Sequence, residues 1–354
     1  MIAADARNIV ARNAGWRIAR ITAEAVRLSR RSVLAGASAA SIAGLAACSG
    51  SPATRKITFL TNWFAEAEHG GFYQAAATGL FQKAGLNVEI RMGGPQVNAS
   101  QLLMGGDADL IIGHDIQVLK SISNGVPVVC VGAPFQIDLQ GIMTHTDIKS
   151  LAHLKGHKVQ IAQIANTTWW PWLKQKFGYT DDMIAVDTFN LQPFLHDPTL
   201  AMEGVPSSEP YEAERLGAKV NFFMFADDGY PPYGNSIVTT TRFVKERSGD
   251  VAGFVRCVMQ GWVDYFRNPA PGDKLMLQYN PQMTQDRLDF AVQKMKALHV
   301  LDRGDGATMG VGTMTLARWT ETRDFLAKFG LLPADLDIRQ AFTTRFTDGL
   351  HIFA

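Results

Sequence analysis

Apolar and polar positions change period several times along the chain, and each change predicts an element. Residues 57–60 (ITFL) are a short apolar run bounded by polar residues, which predicts a strand. A polar and aromatic loop over 61–71 follows, then a helix over 72–83 and a second strand over 87–90. After a Gly/Pro turn at 91–98, the pattern predicts a helix over 97–104 and a buried strand at 108–112. A helix opened by His114-Asp115 and closed at Asn124-Gly125 comes next, then a strand at 127–131. Strands alternating with helices of roughly ten residues give parallel βαβ units, hence an α/β fold. Beyond them lie a polar helical turn at 145–154, strands at 159–164, 186–190 and 222–226, a turn with a short helix at 192–201, and a rigid turn at 227–233. The spacing of Phe, Val, Met and Leu predicts amphipathic helices over 249–268, 282–298 and 314–329, with Trp262 and Trp319 on their buried stripes.

Composition refines this picture in two places. The chain has 354 residues, 47% of them apolar, enough for two lobes with real cores. The formal net charge of +1 hides a division. Residues 1–47 carry seven Arg and two acids (Asp5, Glu24), a net of +5, and the remainder has 27 basic against 31 acidic residues, a net of −4. A mildly acidic body argues against nucleic-acid binding, which needs a basic face. Of the three cysteines, Cys130 and Cys257 lie in apolar stretches and read as small buried hydrophobes, with a single disulfide between them as the alternative. Cys48 is separate. Ser29-Arg30-Arg31-Ser32-Val33-Leu34 resembles a twin-arginine export motif, and Leu45-Ala46-Ala47-Cys48 resembles a lipobox whose Cys48 thiol receives a lipid. Residues 1–48 therefore read as a lipoprotein signal and 49–54 as a tether. The expected location is exported, periplasmic and anchored to a membrane through lipid alone, since no other apolar run is long enough to span a bilayer.

The candidate chemistry sits where strands give way to helices. Asn62, Trp63, Glu66, His69 and Tyr73 crowd the turn after the first strand, the place where open α/β sheets bind ligands. An amide, a large aromatic, a carboxylate and an imidazole there suit a flat, polar heterocycle. Asn166-Thr167-Thr168 precede a run of tryptophans led by Trp169, which reads either as a second stacking plate or as core between helix and sheet. Glu209 is either a ligand acceptor or a helix N-terminal acid favoured by the dipole. Asp115 sits at an N-cap position. The chain has no Walker loop, HExxH, CxxC or GxSxG, and no histidines at metal-ligand spacing.

Asn62-Trp63, His69-Gly70-Gly71-Phe72-Tyr73, Gly79-Leu80-Phe81 and Gly85-Leu86-Asn87-Val88 together resemble the opening of the THI5/NMT1-like family. That family holds pyrimidine-precursor-binding proteins of ABC importers and yeast-type pyrimidine synthases of thiamine biosynthesis. The resemblance covers roughly 55–350. It implies a two-lobed periplasmic-binding-protein fold of type II with a ligand cleft between lobes, lobe I being 55–142 plus 238–354 and lobe II 143–237. It further implies chain crossings near 140–146 and 234–240 and closure by hinge motion. In that frame Trp63 stacks on the ligand, and Asn62, His69, Gln136 and Glu209 read its polar edge. Tyr73, Asn166 and Trp169 complete the pocket, with Tyr211 in the Glu-Pro-Tyr segment at the cleft. The implied protein is monomeric and not an enzyme. It takes no cofactor or metal and works with permease and ATPase subunits. Its ligand is a thiamine pyrimidine precursor, with riboflavin or an alkanesulfonate or nitrate as alternatives. The first-lobe loop has no basic residue, which counts against anions. In the synthases a lysine and a sacrificial histidine are essential. The corresponding positions here are Gly113 and Gln117, so no Schiff base forms.

Overall fold

A computed structural model describes residues 56–354, and Cys48 with the rest of the export and lipidation reading lies outside them. Ten strands form two five-stranded sheets. The first contains β1 (Ile57–Leu60), β2 (Val88–Arg91), β3 (Leu110–Gly113), β4 (Val128–Gly132) and β10 (Ser236–Thr240) in the order β2-β1-β3-β10-β4. The second contains β5 (Gly141–His145), β6 (Lys158–Ile161), β7 (Ile184–Val186), β8 (Leu200–Gly204) and β9 (Val220–Met224) in the order β7-β6-β8-β5-β9. Both sheets are mixed rather than wholly parallel. β1 runs parallel to β2 and β3, but β10 is inserted antiparallel between β3 and β4. β6 runs parallel to β7 and β8, while β5 is antiparallel to β8 and β9.

Helices cover the sheets: α1 (Gly70–Ala77), α2 (Leu80–Lys83), α3 (Ala99–Gly105), α4 (Asp115–Ser123), α5 (Trp170–Phe177), α6 (Gln192–His196), α7 (Glu209–Arg215), α8 (Thr241–Glu246), α9 (Ser248–Arg267), α10 (Ala270–Tyr279), α11 (Gln285–Ala297), α12 (Gly306–Met309) and α13 (Leu316–Lys328). The helix read over 72–83 is broken, because Gly79 adopts φ +73 between α1 and α2. The segment read as a strand at 186–190 is mostly loop, and the short helix read over 192–201 ends early, leaving room for β8. The stretches read as crossings near 140–146 and 234–240 are themselves strands, β5 and β10.

Apart from the edge strand β2, the strands of the first sheet are buried on both faces. Phe59, Leu110, Ile112, Val129 and Val131 enter one apolar cluster with α1 and α9, while Leu60, Ile111, Val128 and Cys130 enter another. α9 presents Val251, Phe254, Val255, Val258, Trp262 and Tyr265 to the first cluster at helical spacing. The second cluster runs across both lobes. It joins Trp169, Trp170 and Trp172 beside the second sheet to Trp319 and Leu326 of α13, with the Trp172 and Phe325 ring centroids 5.8 Å apart. Cys130 and Cys257 are free and buried, as two small hydrophobes.

The Gly70-Gly71 pair has a packing reason. A Cβ on Gly70 would lie 2.0 Å from the Tyr265 ring, and one on Gly71 would lie 2.3 Å from the Trp262 ring. The α1 backbone therefore rests directly on α9, with the Gly71 carbonyl 2.2 Å from where a Cβ of Gly261 would stand. Gly71→Ala is expected to cost about 3 kcal/mol, at the upper end of overpacking penalties. Gly249→Ala, where a Cβ meets nothing within 4 Å, is expected to be nearly neutral. Urea unfolding of the two variants checks both.

Candidate functional site

The site lies where the carboxyl ends of β1 and β3 face those of β6, β7 and β8. After β1 the chain turns sharply through 61–66. The Thr61 hydroxyl donates to the Trp63 carbonyl (2.7 Å) and accepts from the Gly93 N–H (3.1 Å). Gly93 must be glycine for this loop to lie where it does, since a Cβ would stand 2.3 Å from the Thr61 carbonyl oxygen. His69, fully buried just before α1, sits 2.9 Å through Nε2 from Asn62 Oδ1. Burial lowers the His69 pKa to about 3, so the ring is neutral. The contact with the neutral imidazole orients the Asn62 side chain.

Trp63 is half-buried and leaves its lobe. Its ring centroid lies 5.5 Å from that of Phe64, edge-on, and 5.0 Å from that of Phe189 in the opposite lobe. Phe189 follows β7 and is 49% exposed. It holds φ +55, a conformation uncommon for a non-glycine residue, with its N–H donating to Asp187 Oδ1 at 2.8 Å. An Asp two residues before an aromatic was a turn signal present in the sequence. The strand reading over 186–190 concealed it.

Behind these rings lies a set of carboxyls. The Ser207 hydroxyl donates across the lobes to Glu68, and the Asn235 side chain donates to the Glu68 carbonyl. Arg287 of α11 donates to the Ser208 hydroxyl and stands 3.6 Å from Glu212 of α7, tying α11 to α7. Burial raises the pKa of Glu66, Glu68 and Glu209, and the Arg287 guanidinium opposes the rise in all three. Glu203, near the end of β8, has Oε2 buried without a hydrogen-bond partner. Burial pushes its pKa up to about 8, opposed by the Ala162 N–H and reinforced by Asp187 and Glu209. The folded chain thus keeps a proton that an unfolded Glu releases near pH ~4.3. Stability from this group is full below that pH and is lost as pH rises through about 8. Native stability of the ligand-free chain is expected to fall by a few kcal/mol, roughly, across that window, and Glu203→Gln is expected to flatten the slope. Chemical denaturation at stepped pH measures it.

Nearer the chain crossings, His114 Nδ1 lies 3.4 Å from Asp138 Oδ2. Asp115 accepts from the Tyr233 N–H at 3.0 Å and from the Ile116 N–H at 2.9 Å. These residues adjoin a cavity of about 40 Å³ lined also by Gln117, Thr168 and Tyr230. That space suits water rather than a heterocycle. A wider, shallow concavity of about 540 Å³ lies on the outer face between α10 and α11, lined by Asp273, Lys274 and Asp289. It contains none of the candidate residues, and its carboxylate Asp273 is already held by Tyr265 and Gln285. Among the described residues no group of His, Cys, Asp and Glu comes together as a metal-ligand set.

The residues read from the sequence do not all converge. Asn62, Trp63 and His69 meet at the cleft. Tyr73 is fully buried in α1, its hydroxyl without a partner and its ring against Tyr279, close enough to Glu66 for that charge to add to the burial that raises its pKa. Asn166 is exposed at the rim, donating to the Gln163 carbonyl. The others are engaged elsewhere. The Gln136 amide donates to the Ala133 and Thr313 carbonyls (3.2 and 3.0 Å) and ties together two loops of one lobe. Trp169 is core, 4.7 Å from Phe225 by ring centroids, and the ring that faces Trp63 from the other lobe is Phe189. Glu209 accepts from the Val205 N–H (2.7 Å) and the Ser208 hydroxyl (3.2 Å) of its own turn. Tyr211 packs on Phe290 of α11, centroids 5.1 Å apart. Phe189, Glu203, Glu68, Ser207 and Arg287 were not singled out by the sequence.

Comparisons with known proteins agree with this architecture. The chain is 22% identical over 308 residues to the riboflavin-binding protein RibY of Chloroflexus aurantiacus, covering 84% of this chain and 88% of that one. It is 28% identical over 109 residues to the 4-amino-5-hydroxymethyl-2-methylpyrimidine phosphate synthase of Aspergillus parasiticus, covering 30% of this chain and 32% of that one. The periplasmic aliphatic sulphonate binding protein SsuA of Escherichia coli superposes with a TM-score of 0.60 at 17% identity, covering 82% of this chain and 92% of that one. The fold is that of a periplasmic binding protein. The family model described as NMT1/THI5 like matches residues 66–271, more than half of the sequence, and the chain belongs to that family.

Proposed function

We propose that the chain is the solute-binding component of an ABC importer and takes a flat heteroaromatic, of the thiamine pyrimidine-precursor type, between its lobes. The observation that carries this reading is the pair of rings, Trp63 and Phe189, presented to each other from opposite lobes. When the lobes part, a planar ligand enters between them, and closure gives it two aromatic faces. The neutral His69–Asn62 pair supplies one fixed amide to the ligand edge. Carboxyls dominate the surroundings and Arg287 is engaged with α7, which disfavours a sulfonate or nitrate despite the SsuA-like fold. Export, a lipid on Cys48, and permease and ATPase partners belong to the same proposal.

The chemistry proposed is binding, not catalysis. A Cβ on Gly113 would stand 2.8 Å from Val238 Cγ2, so a side chain at the position aligned with the synthase lysine requires Val238 to give way. A second reading, riboflavin, draws support from the RibY similarity running along 84% of the chain, where the synthase similarity covers 30%. A thermal-shift panel on the full chain tests both, using 4-amino-5-hydroxymethyl-2-methylpyrimidine, thiamine, riboflavin, taurine and nitrate. A true ligand at a hundredfold excess over Kd stabilises the native state by about 2.7 kcal/mol. A shift with the aminopyrimidine alone supports the first reading, and a shift with riboflavin alone replaces the ligand and keeps the role. A shift with taurine or nitrate alone rejects the heteroaromatic.

A further inference from the structure

We infer that the Ser207-Ser208 turn is a two-point latch that holds the lobes together through protein contacts alone, and that its opening sets how fast ligand enters and leaves. The turn lies between β8 and α7, in the lobe of the second sheet. Its two partners belong to the other lobe. Glu68 stands just before α1, whose Phe72 and Tyr73 enter the core beside the first sheet, and Arg287 lies on α11, whose Leu288, Ala291 and Val292 enter the same core. The Ser207 hydroxyl donates to the Glu68 carboxyl, and the Arg287 guanidinium donates to the Ser208 hydroxyl. Each half of the latch is braced within its own lobe. Glu209 accepts from the Val205 N–H (2.7 Å) and the Ser208 hydroxyl (3.2 Å), which shapes the turn and leaves the Ser208 lone pairs to Arg287. Opposite, the Asn235 side chain donates to the Glu68 carbonyl, and Asn280, in the loop leading to α11, donates to the Ala65 carbonyl at 3.0 Å.

Arg287 has a second task. It stands 3.6 Å from Glu212 and within electrostatic reach of Glu66, Glu68 and Glu209. Glu66 and Glu68 come from one lobe, Glu209 and Glu212 from the other. With that cation removed, carboxyls of the two lobes confront each other across the seam. The latch shares no side chain with the Trp63–Phe189 ring pair, so it favours the closed arrangement by the same factor with and without ligand. A bias common to both states slows association and dissociation alike and leaves their ratio, Kd, nearly unchanged while the closed arrangement predominates. The latch thus governs exchange and the rings govern affinity. Only this kinetic consequence rests on the binding role proposed above.

The test uses the full chain in two arms. The first is small-angle X-ray scattering with no ligand added. Ser207→Ala and Arg287→Gln are expected to enlarge the radius of gyration, most of all when combined. Glu68→Gln is expected to keep wild-type dimensions, because its amide oxygen still accepts from Ser207. Arg215→Gln, which removes an ion pair confined to α7, is expected to keep them too. A retained cooperative melting transition separates parted lobes from an unfolded chain. Wild-type dimensions in the combined variant overturn the latch. The second arm is stopped-flow mixing with 4-amino-5-hydroxymethyl-2-methylpyrimidine and with riboflavin. For a probe that binds, Ser207→Ala is expected to raise both rate constants roughly fivefold, the worth of one hydrogen bond, and to change Kd by less than about twofold. Faster dissociation with unchanged association overturns the control of exchange and makes Ser207 a ligand contact. If neither probe binds, the heteroaromatic reading fails, and the scattering still decides the latch.

Discussion

Trp63→Ala is expected to weaken ligand binding by about 2 kcal/mol or more, roughly 30-fold in Kd, and to leave the melting temperature of the ligand-free chain nearly unchanged. The asymmetry follows from where the ring sits. Trp63 belongs to neither large apolar cluster, and its ring contacts are Phe64 beside it and Phe189 across the cleft. Its backbone is held without help from the ring, by the Thr61 hydroxyl and by the close approach of Gly93. Truncation therefore removes two ring contacts at the cleft but none in either core, and takes from the bound ligand one of its aromatic faces. Titration calorimetry with the ligand that gives the thermal shift measures the loss. An unchanged Kd would place the stacking surface elsewhere.

Trp169→Ala is expected to behave in the opposite way. The ring is 1% exposed and sits between Trp170 and Phe225, inside the cluster that joins the second sheet to α13. Removing a buried indole leaves a cavity, and costs of about 3–5 kcal/mol are usual. The chain should unfold at markedly lower urea, while the fraction that remains folded binds with nearly wild-type affinity. A large loss of affinity with little loss of stability would return Trp169 to the binding surface.

These two tryptophans show what the sequence made legible. The segment 57–90 announced its strands and its loop because each depends on local chemistry: apolar runs and polar turn residues. The long helices α9, α11 and α13 were legible from period alone, within a few residues at each end. β8 was not. Leu-Ala-Met-Glu-Gly has no β-branched residue and becomes a strand because β6 and β5 flank it and supply hydrogen bonds. Missing that strand hid Glu203. β5 and β10 were read as crossings because an antiparallel insertion depends on a partner far along the chain, Ser236 opposite Gly113 for example. Phe189 was hidden for another reason. Its exposure and positive φ make sense only once Trp63 stands opposite it, and no local pattern encodes a contact between residues so far apart. The assignments of Gln136, Trp169 and Glu209 rested on the family resemblance and on residue type. In the folded chain other groups meet their bonding or packing needs first.

The most direct test is a crystal structure of the chain grown with the heterocycle that stabilises it. The account predicts the ring lying between Trp63 and Phe189 with the lobes closed over it. Density for the heterocycle in the outer concavity between α10 and α11, with Trp63 and Phe189 still touching, would contradict it.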